Sequence, residues 1–220
     1  MKTLKQHIFE KLKVSKNPYT LFPKTNEELK HMIEDEISKN GNECSLNHID
    51  VSRITDMSSL FFNTTFNGDI SDWNVSNVTT MNGMFAFSKF NGDISSWNVS
   101  NVKTMKYMFE NSRFNGDISG WDVSNVETMK DMFNKSVFNK DISKWDVSKV
   151  ENMEFMFYNA SFNKDISNWD VSNVENMGYM FQSSYFDKDI SKWDISKVKI
   201  MDGMFSDSPL ENNPPKWYKE

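Results

Sequence analysis

Six aspartates recur at a fixed interval: Asp69, Asp93, Asp117, Asp141, Asp165 and Asp189, each 24 residues from the last. An asparagine column precedes them at Asn67, Asn91, Asn115, Asn139 and Asn163, with Asp187 in the sixth place. Repeated carboxylates beside glycine are oxygen donors of the kind calcium takes, and they occur in calcium-binding β-rolls. The same side chains at a coil corner also bond nearby backbone amides and fix a turn. The structural role is the expected one here. A stack of unpaired carboxylates repels itself, and Gly68, Gly92 and Gly116 become Lys140, Lys164 and Lys188 in the later repeats, which is awkward for a cation site. Other chemistries lack their parts. His7, His31 and His48 all lie outside the full repeats, and no serine keeps a histidine and an acid at a repeating offset. No metal-ligand cluster or phosphate-cradling glycine loop is visible. The sequence predicts no enzyme and no cofactor, with the six aspartates as weak metal candidates.

These residues are carried by a repeat. FNGDISDWNVSNVTTMNGMFAFSK, residues 66–89, returns every 24 residues, and Trp73, Trp97, Trp121, Trp145, Trp169, Trp193 and Trp217 mark one position. A fixed period in the 20–50 range is the signature of a stacked repeat architecture. Thirteen of the fifteen Met residues and all seven Trp residues fall in register with it. The core columns are Phe, Ile, Trp, Val, Val, Met, Met and Phe, and no coil can close such a core without its neighbours. Within Phe114–Val137, the pattern predicts a short strand around Ile118–Trp121. Ser124 and Glu127 read as an S-x-x-E capping box. Val126, Met129, Met132 and Phe133 then read as one face of about two helical turns, with a 3₁₀ turn or second strand as the competing reading. The expected fold is an α/β repeat solenoid with one short parallel strand and a short helix or 3₁₀ turn per coil.

Residues 1–16 form a leader, expected to be a basic amphipathic helix over 2–14 with Leu4, Ile8, Phe9 and Leu12 on one face. It is similar to the head-targeting peptides of internal proteins in large tailed bacteriophages, whose Ile/Leu-x-Glu protease site Ile8-Phe9-Glu10 matches. Residues 17–41 hold a proline-bearing linker and a helical cap. Thr25 and Glu28 read as its capping box, Leu29, Met32, Ile33 and Ile37 as its apolar stripe, and Asn40-Gly41 as its stop. The array runs over 42–217: a degenerate coil without Trp (42–65), six fuller coils (66–209) and a stub (210–217). Pro209, Pro214 and Pro215 read as a C-terminal stop.

The motif F-N-x-D-I-S-x-W-[DN]-V-S-x-V-x-x-M-x-x-M-F resembles the BspA-like, mycoplasma-type leucine-rich repeat family, also called DUF285, over residues 46–217. The resemblance implies a leucine-rich-repeat-like solenoid. Members are mostly bacterial surface proteins or lipoproteins, with adhesion or protein binding proposed. This chain lacks the signal or lipobox of surface members, so a cytoplasmic or phage-particle location is expected.

The formal net charge is −6 with both signs interleaved, which argues against a nucleic-acid partner. No run reaches the roughly 18 apolar residues of a membrane span. Cys44 stands alone, so no intrachain disulfide forms. Function is expected where the coils differ. The position before each Trp varies and includes Lys144 and Lys192, while Tyr107, Phe155, Tyr158, Tyr179 and Tyr185 are expected as exposed aromatics, a residue type enriched at interfaces. A non-enzymatic protein-binding or scaffold role leads. A phage-packaged structural protein and a calcium-stabilised surface adhesion module are the alternatives.

Overall fold

The computed structural model describes residues 18–219, and the leader with its Ile-x-Glu site lies outside them. One helix is present among the described residues, α1 (Asn26–Asn40). Thr25 caps it by accepting from the Glu28 N–H, while the Glu28 carboxylate reaches back to the N–H of Lys24 at 2.7 Å. Gly41, at φ 86°, closes the other end through its N–H to the Ile37 carbonyl. Leu29 and Ile33 are buried against the first coil. The Asn26 amide donates to the carbonyls of Asp56 and Ser58, so α1 satisfies backbone acceptors on that edge as well as covering its apolar side chains.

From residue 46 onward, each 24-residue unit lies on the next. Single-residue parallel bridges join Asp56, Thr80, Thr104, Thr128, Asn152, Asn176 and Ile200 in one column. Beyond that column the amides alternate in direction. In the coil of Phe114–Val137, the N–H groups of Met129, Asp131, Phe133 and Lys135 donate to carbonyls of the following coil at 2.7–3.0 Å. Those of Met132, Asn134 and Ser136 donate three residues back within their own coil at 3.1–3.2 Å. The result is a chain of linked turns whose every second amide ties one coil to another.

This pattern corrects the expected helix. The apolar spacing of Val126, Met129, Met132 and Phe133 is real and all four are buried. A helix, however, sends every N–H four residues back along its own chain. Here the alternation is kept by left-handed residues that no helix tolerates: Asp131 at φ 56° and Lys135 at φ 55°, repeated in the other coils. The expected S-x-x-E box is also absent. The Ser124 N–H donates to Asp122, and the Glu127 N–H goes to the Lys103 carbonyl of the preceding coil.

The strand expected at Ile118–Trp121 is a turn. Ile118 and Trp121 are both buried, whereas strand positions three apart face opposite sides. The Trp121 N–H closes onto the Ile118 carbonyl at 3.2 Å, and the Asp117 carboxylate accepts from the Ser119 N–H inside the same bend.

The core is a set of ladders. Phe66, Phe90, Phe114, Phe138, Phe162 and Phe186 stack at 6.2–6.4 Å between ring centroids. Each Trp indole N–H donates to a carbonyl 27 residues earlier, from Trp73 to Leu46 through Trp217 to Ile190, at 3.0–3.2 Å. That bond fixes register between coils. The C-terminal stub keeps it, although Trp217 and Leu210 are only partly buried.

Candidate functional site

The aspartate column is part of the scaffold. One carboxylate oxygen of Asp69, Asp93, Asp117, Asp141, Asp165 and Asp189 accepts the N–H two residues on, from Ser71, Ser95, Ser119, Ser143, Ser167 and Ser191, at 2.8–3.0 Å. The asparagine column bonds between coils, as in the Asn91 N–H to the Asn67 amide oxygen at 2.8 Å. Among the described residues no group of three or more His, Cys, Asp or Glu side chains converges as a metal would need. Lys144 and Lys192 stand beside these acids and help hold Asp141 and Asp189 ionised. A recess of about 650 Å³ between coils is lined by Asp117, Lys140, Asp141 and Lys144, so its charges largely answer one another.

The serine amides, and then the serine hydroxyls, hold the six column carboxyls below the usual carboxylate range. A depressed folded pKa adds stability that is present above the ordinary value near 3.9 and lost as pH falls through the lower, folded one. Glu110 and Asp131 act in the opposite sense, because burial raises both. The column outnumbers them. Thermal unfolding from pH 6 to pH 2 is expected to show Tm steady down to about pH 4 and falling below it. A Tm that rises below pH 4 would contradict this role.

The variable residues gather on another face, that of the linked turns. Seven residues form one left-handed column there: Ser59, Gly83, Tyr107, Asp131, Phe155, Tyr179 and Gly203, with φ between 55° and 59°. Glycine takes this conformation freely, while a bulky side chain there costs roughly 1–2 kcal/mol. The two glycines show what the position prefers, yet three of the seven residues are large aromatics. Phe155 and Tyr179 stack at 4.8 Å, and Tyr158 meets Phe155 edge-on at 5.6 Å. The Lys135 ammonium lies 5.8 Å from the Tyr158 ring centroid. Lys130 and Glu154 pair at 2.6 Å beside them.

The structure thus brings Phe155, Tyr158 and Tyr179 together and places Tyr107 in the same column, separated from Phe155 by Asp131. Tyr185 is 68% exposed but lies on a different column, and Lys144 and Lys192 belong to the aspartate edge. Sequence reasoning missed Phe62 and Phe87, which are 52% and 41% exposed and meet edge-on at 5.6 Å. It also missed Glu110 and Asn134. Their signal lay in the column Phe62, Ala86, Glu110, Asn134, Tyr158 and Gln182, where every coil differs.

A backbone set by invariant columns, with a face of differing side chains, defines a tandem-repeat protein. The chain belongs to the family described as Mycoplasma protein of unknown function, DUF285, which matches residues 27–137 and 113–218. No curated protein and no solved structure matches the chain. Among the described residues no helix is long and apolar enough to cross a membrane.

Proposed function

We propose that the chain is a leucine-rich-repeat-like solenoid that binds a protein partner through its turn face and performs no catalysis. The observation that carries this reading is the retention of Tyr107, Phe155 and Tyr179 at left-handed positions where glycine costs less. Strain held at a defined set of residues is a pointer to function. Large aromatics are the residues that anchor protein interfaces. The hydroxyls of Ser71 and Ser95 donate to Asp69 and Asp93 within their own turns, a structural use that supports binding over nucleophilic chemistry.

The test is the triple variant Tyr107→Gly, Phe155→Gly, Tyr179→Gly. A partner captured by the wild-type chain is purified and its affinity measured by calorimetry. The variant is expected to keep the wild-type circular dichroism spectrum and to bind at least 100-fold more weakly, since each anchor contributes on the order of 2 kcal/mol. Unchanged affinity in a folded variant would remove the turn face as the binding surface.

A further inference from the structure

We infer that a pocket at the N-terminal end of the turn face takes a cationic side chain, arginine or lysine, from the partner protein. The inference rests on the protein-binding reading above and names what one part of that face recognises.

The pocket has a volume of about 330 Å³ and is lined by Ser59, Phe62, Asn82, Gly83, Ala86, Tyr107 and Glu110. It exists because the coil of residues 66–89 carries the smallest residues of the two facing columns, Gly83 and Ala86, between larger neighbours. Phe62 of the preceding coil stands on one side and Tyr107 of the following coil on the other, both exposed. Phe87 braces Phe62 edge-on. Aromatic faces attract cations through their quadrupole, arginine most often.

The carboxylate of Glu110 supplies the charge. It is half-buried, and no side-chain hydrogen bond or ion pair to it is found among the described residues. Two other acids on this face have partners: Glu154 has Lys130, and Asp131 accepts from the Asn134 amide at 2.6 Å. Burial, and then the nearby Asp131, push the Glu110 carboxyl up more than Lys135 pulls it down, and the Lys135 ammonium lies over the Tyr158 ring instead of pairing with Glu110. An acid left unpaired between aromatic walls is complementary to a cation with an apolar stem. Asn82 is already engaged, accepting from the Thr104 hydroxyl and the Lys106 N–H, so Glu110 is the group left to meet the ligand's charge.

The probe is N-acetyl-arginine amide, with N-acetyl-citrulline amide as its neutral counterpart, titrated into the full ¹⁵N-labelled chain and followed by NMR. The arginine compound is expected to shift the amide resonances of Gly83 and Tyr107 saturably, with Kd in the millimolar range suited to one cation–π contact and one ion pair. Citrulline is expected to shift neither. Glu110→Gln is expected to weaken the arginine compound about tenfold, as loss of a charged partner does. Gly83→Asn fills the floor and should abolish binding. It keeps the fold because asparagine already takes the same left-handed backbone at Asn63, Asn111 and Asn159. Equal binding of both compounds, no saturable shift, or full binding by Glu110→Gln overturns the assignment. A silent pocket alongside partner binding that still depends on Phe155 and Tyr179 overturns this inference alone. A responsive pocket alongside partner binding indifferent to the three aromatics overturns the broader reading.

Discussion

Trp121→Ala is expected to destabilise the chain by about 3–5 kcal/mol, the range for truncating a large buried aromatic. Trp121 is 4% exposed and packs beside Phe109, with ring centroids 6.4 Å apart. Alanine leaves a cavity where neighbouring ladders cannot close, because their spacing is set by the backbone bonds of the coils on either side. It also strips the Ile94 carbonyl of the indole N–H that reaches it at 3.0 Å. That oxygen keeps the Trp97 N–H at 3.2 Å, so the lost bond contributes only about 0.5–1.5 kcal/mol of the total. Stability in a stacked array is a sum of nearest-neighbour terms, so a defect in the middle weakens the coupling between its two halves. The transition should broaden as well as shift. Trp217→Ala removes the same bond at the partly buried stub and is expected to cost about 1–2 kcal/mol, since less area is exposed on truncation. Denaturant unfolding followed by far-ultraviolet circular dichroism separates the two. Equal costs for Trp121→Ala and Trp217→Ala would mean that the ladder does not hold the coils in register.

Gly68→Ala is the second large effect, and it acts through the backbone. A β-carbon at Gly68 would lie 1.9 Å from the Cys44 carbonyl oxygen and 2.8 Å from the Phe66 ring. A side chain can rotate away, but Cys44 is held by its own hydrogen bond from the Asp69 N–H. Relief therefore requires the segment at Cys44, which follows α1, to move off the coil it covers. Overpacking normally costs about 1–3 kcal/mol, and a fixed backbone obstacle puts this substitution near the top of that range. Gly116 occupies the same column two coils later, but its nearest neighbours are ring atoms at 2.9 Å and the closest backbone oxygen is at 3.6 Å. Later coils accept a side chain there, as Lys140 shows. Gly116→Ala is expected to cost less than half as much. Paired thermal melts would decide it, and a Gly116→Ala loss equal to that of Gly68→Ala would place the constraint in the repeat rather than in its contact with the segment at Cys44.

Much of this architecture was legible because the repeat compares each position with itself. Once Trp73 and Trp97 are aligned, burial of the Ile, Val, Met and Phe columns follows from their apolar constancy. The cap was legible from Thr25, Glu28 and Gly41, whose side chains and φ preference mark helix ends in any sequence. Local structure inside the coil was not. Met129, Met132 and Phe133 have the spacing of a helix face, and the spacing alone cannot reveal that the intervening Asp131 is left-handed. That conformation is imposed by hydrogen bonds to the adjacent coil and is adopted by Tyr, Phe, Asp, Ser and Gly alike. The same reason hid the pocket. Phe62, Gly83 and Tyr107 belong to three different coils, and residues 42–65 lack the Trp that marks the repeat most plainly. Tyr107, Phe155 and Tyr179 were identified by difference between coils, without the strain that sets them apart.

The central claim is that the fixed columns carry stability while the variable aromatics serve another purpose. It is tested most directly by the unfolding free energy of the Tyr107→Gly, Phe155→Gly, Tyr179→Gly variant in urea. Three left-handed positions are relieved by roughly 1–2 kcal/mol each. The rings lost are partly exposed and return a similar amount. The account predicts a net change within about 1 kcal/mol of wild type. A loss of about 3 kcal/mol or more, the size of a single core aromatic, would show that these residues hold the fold and would contradict the account.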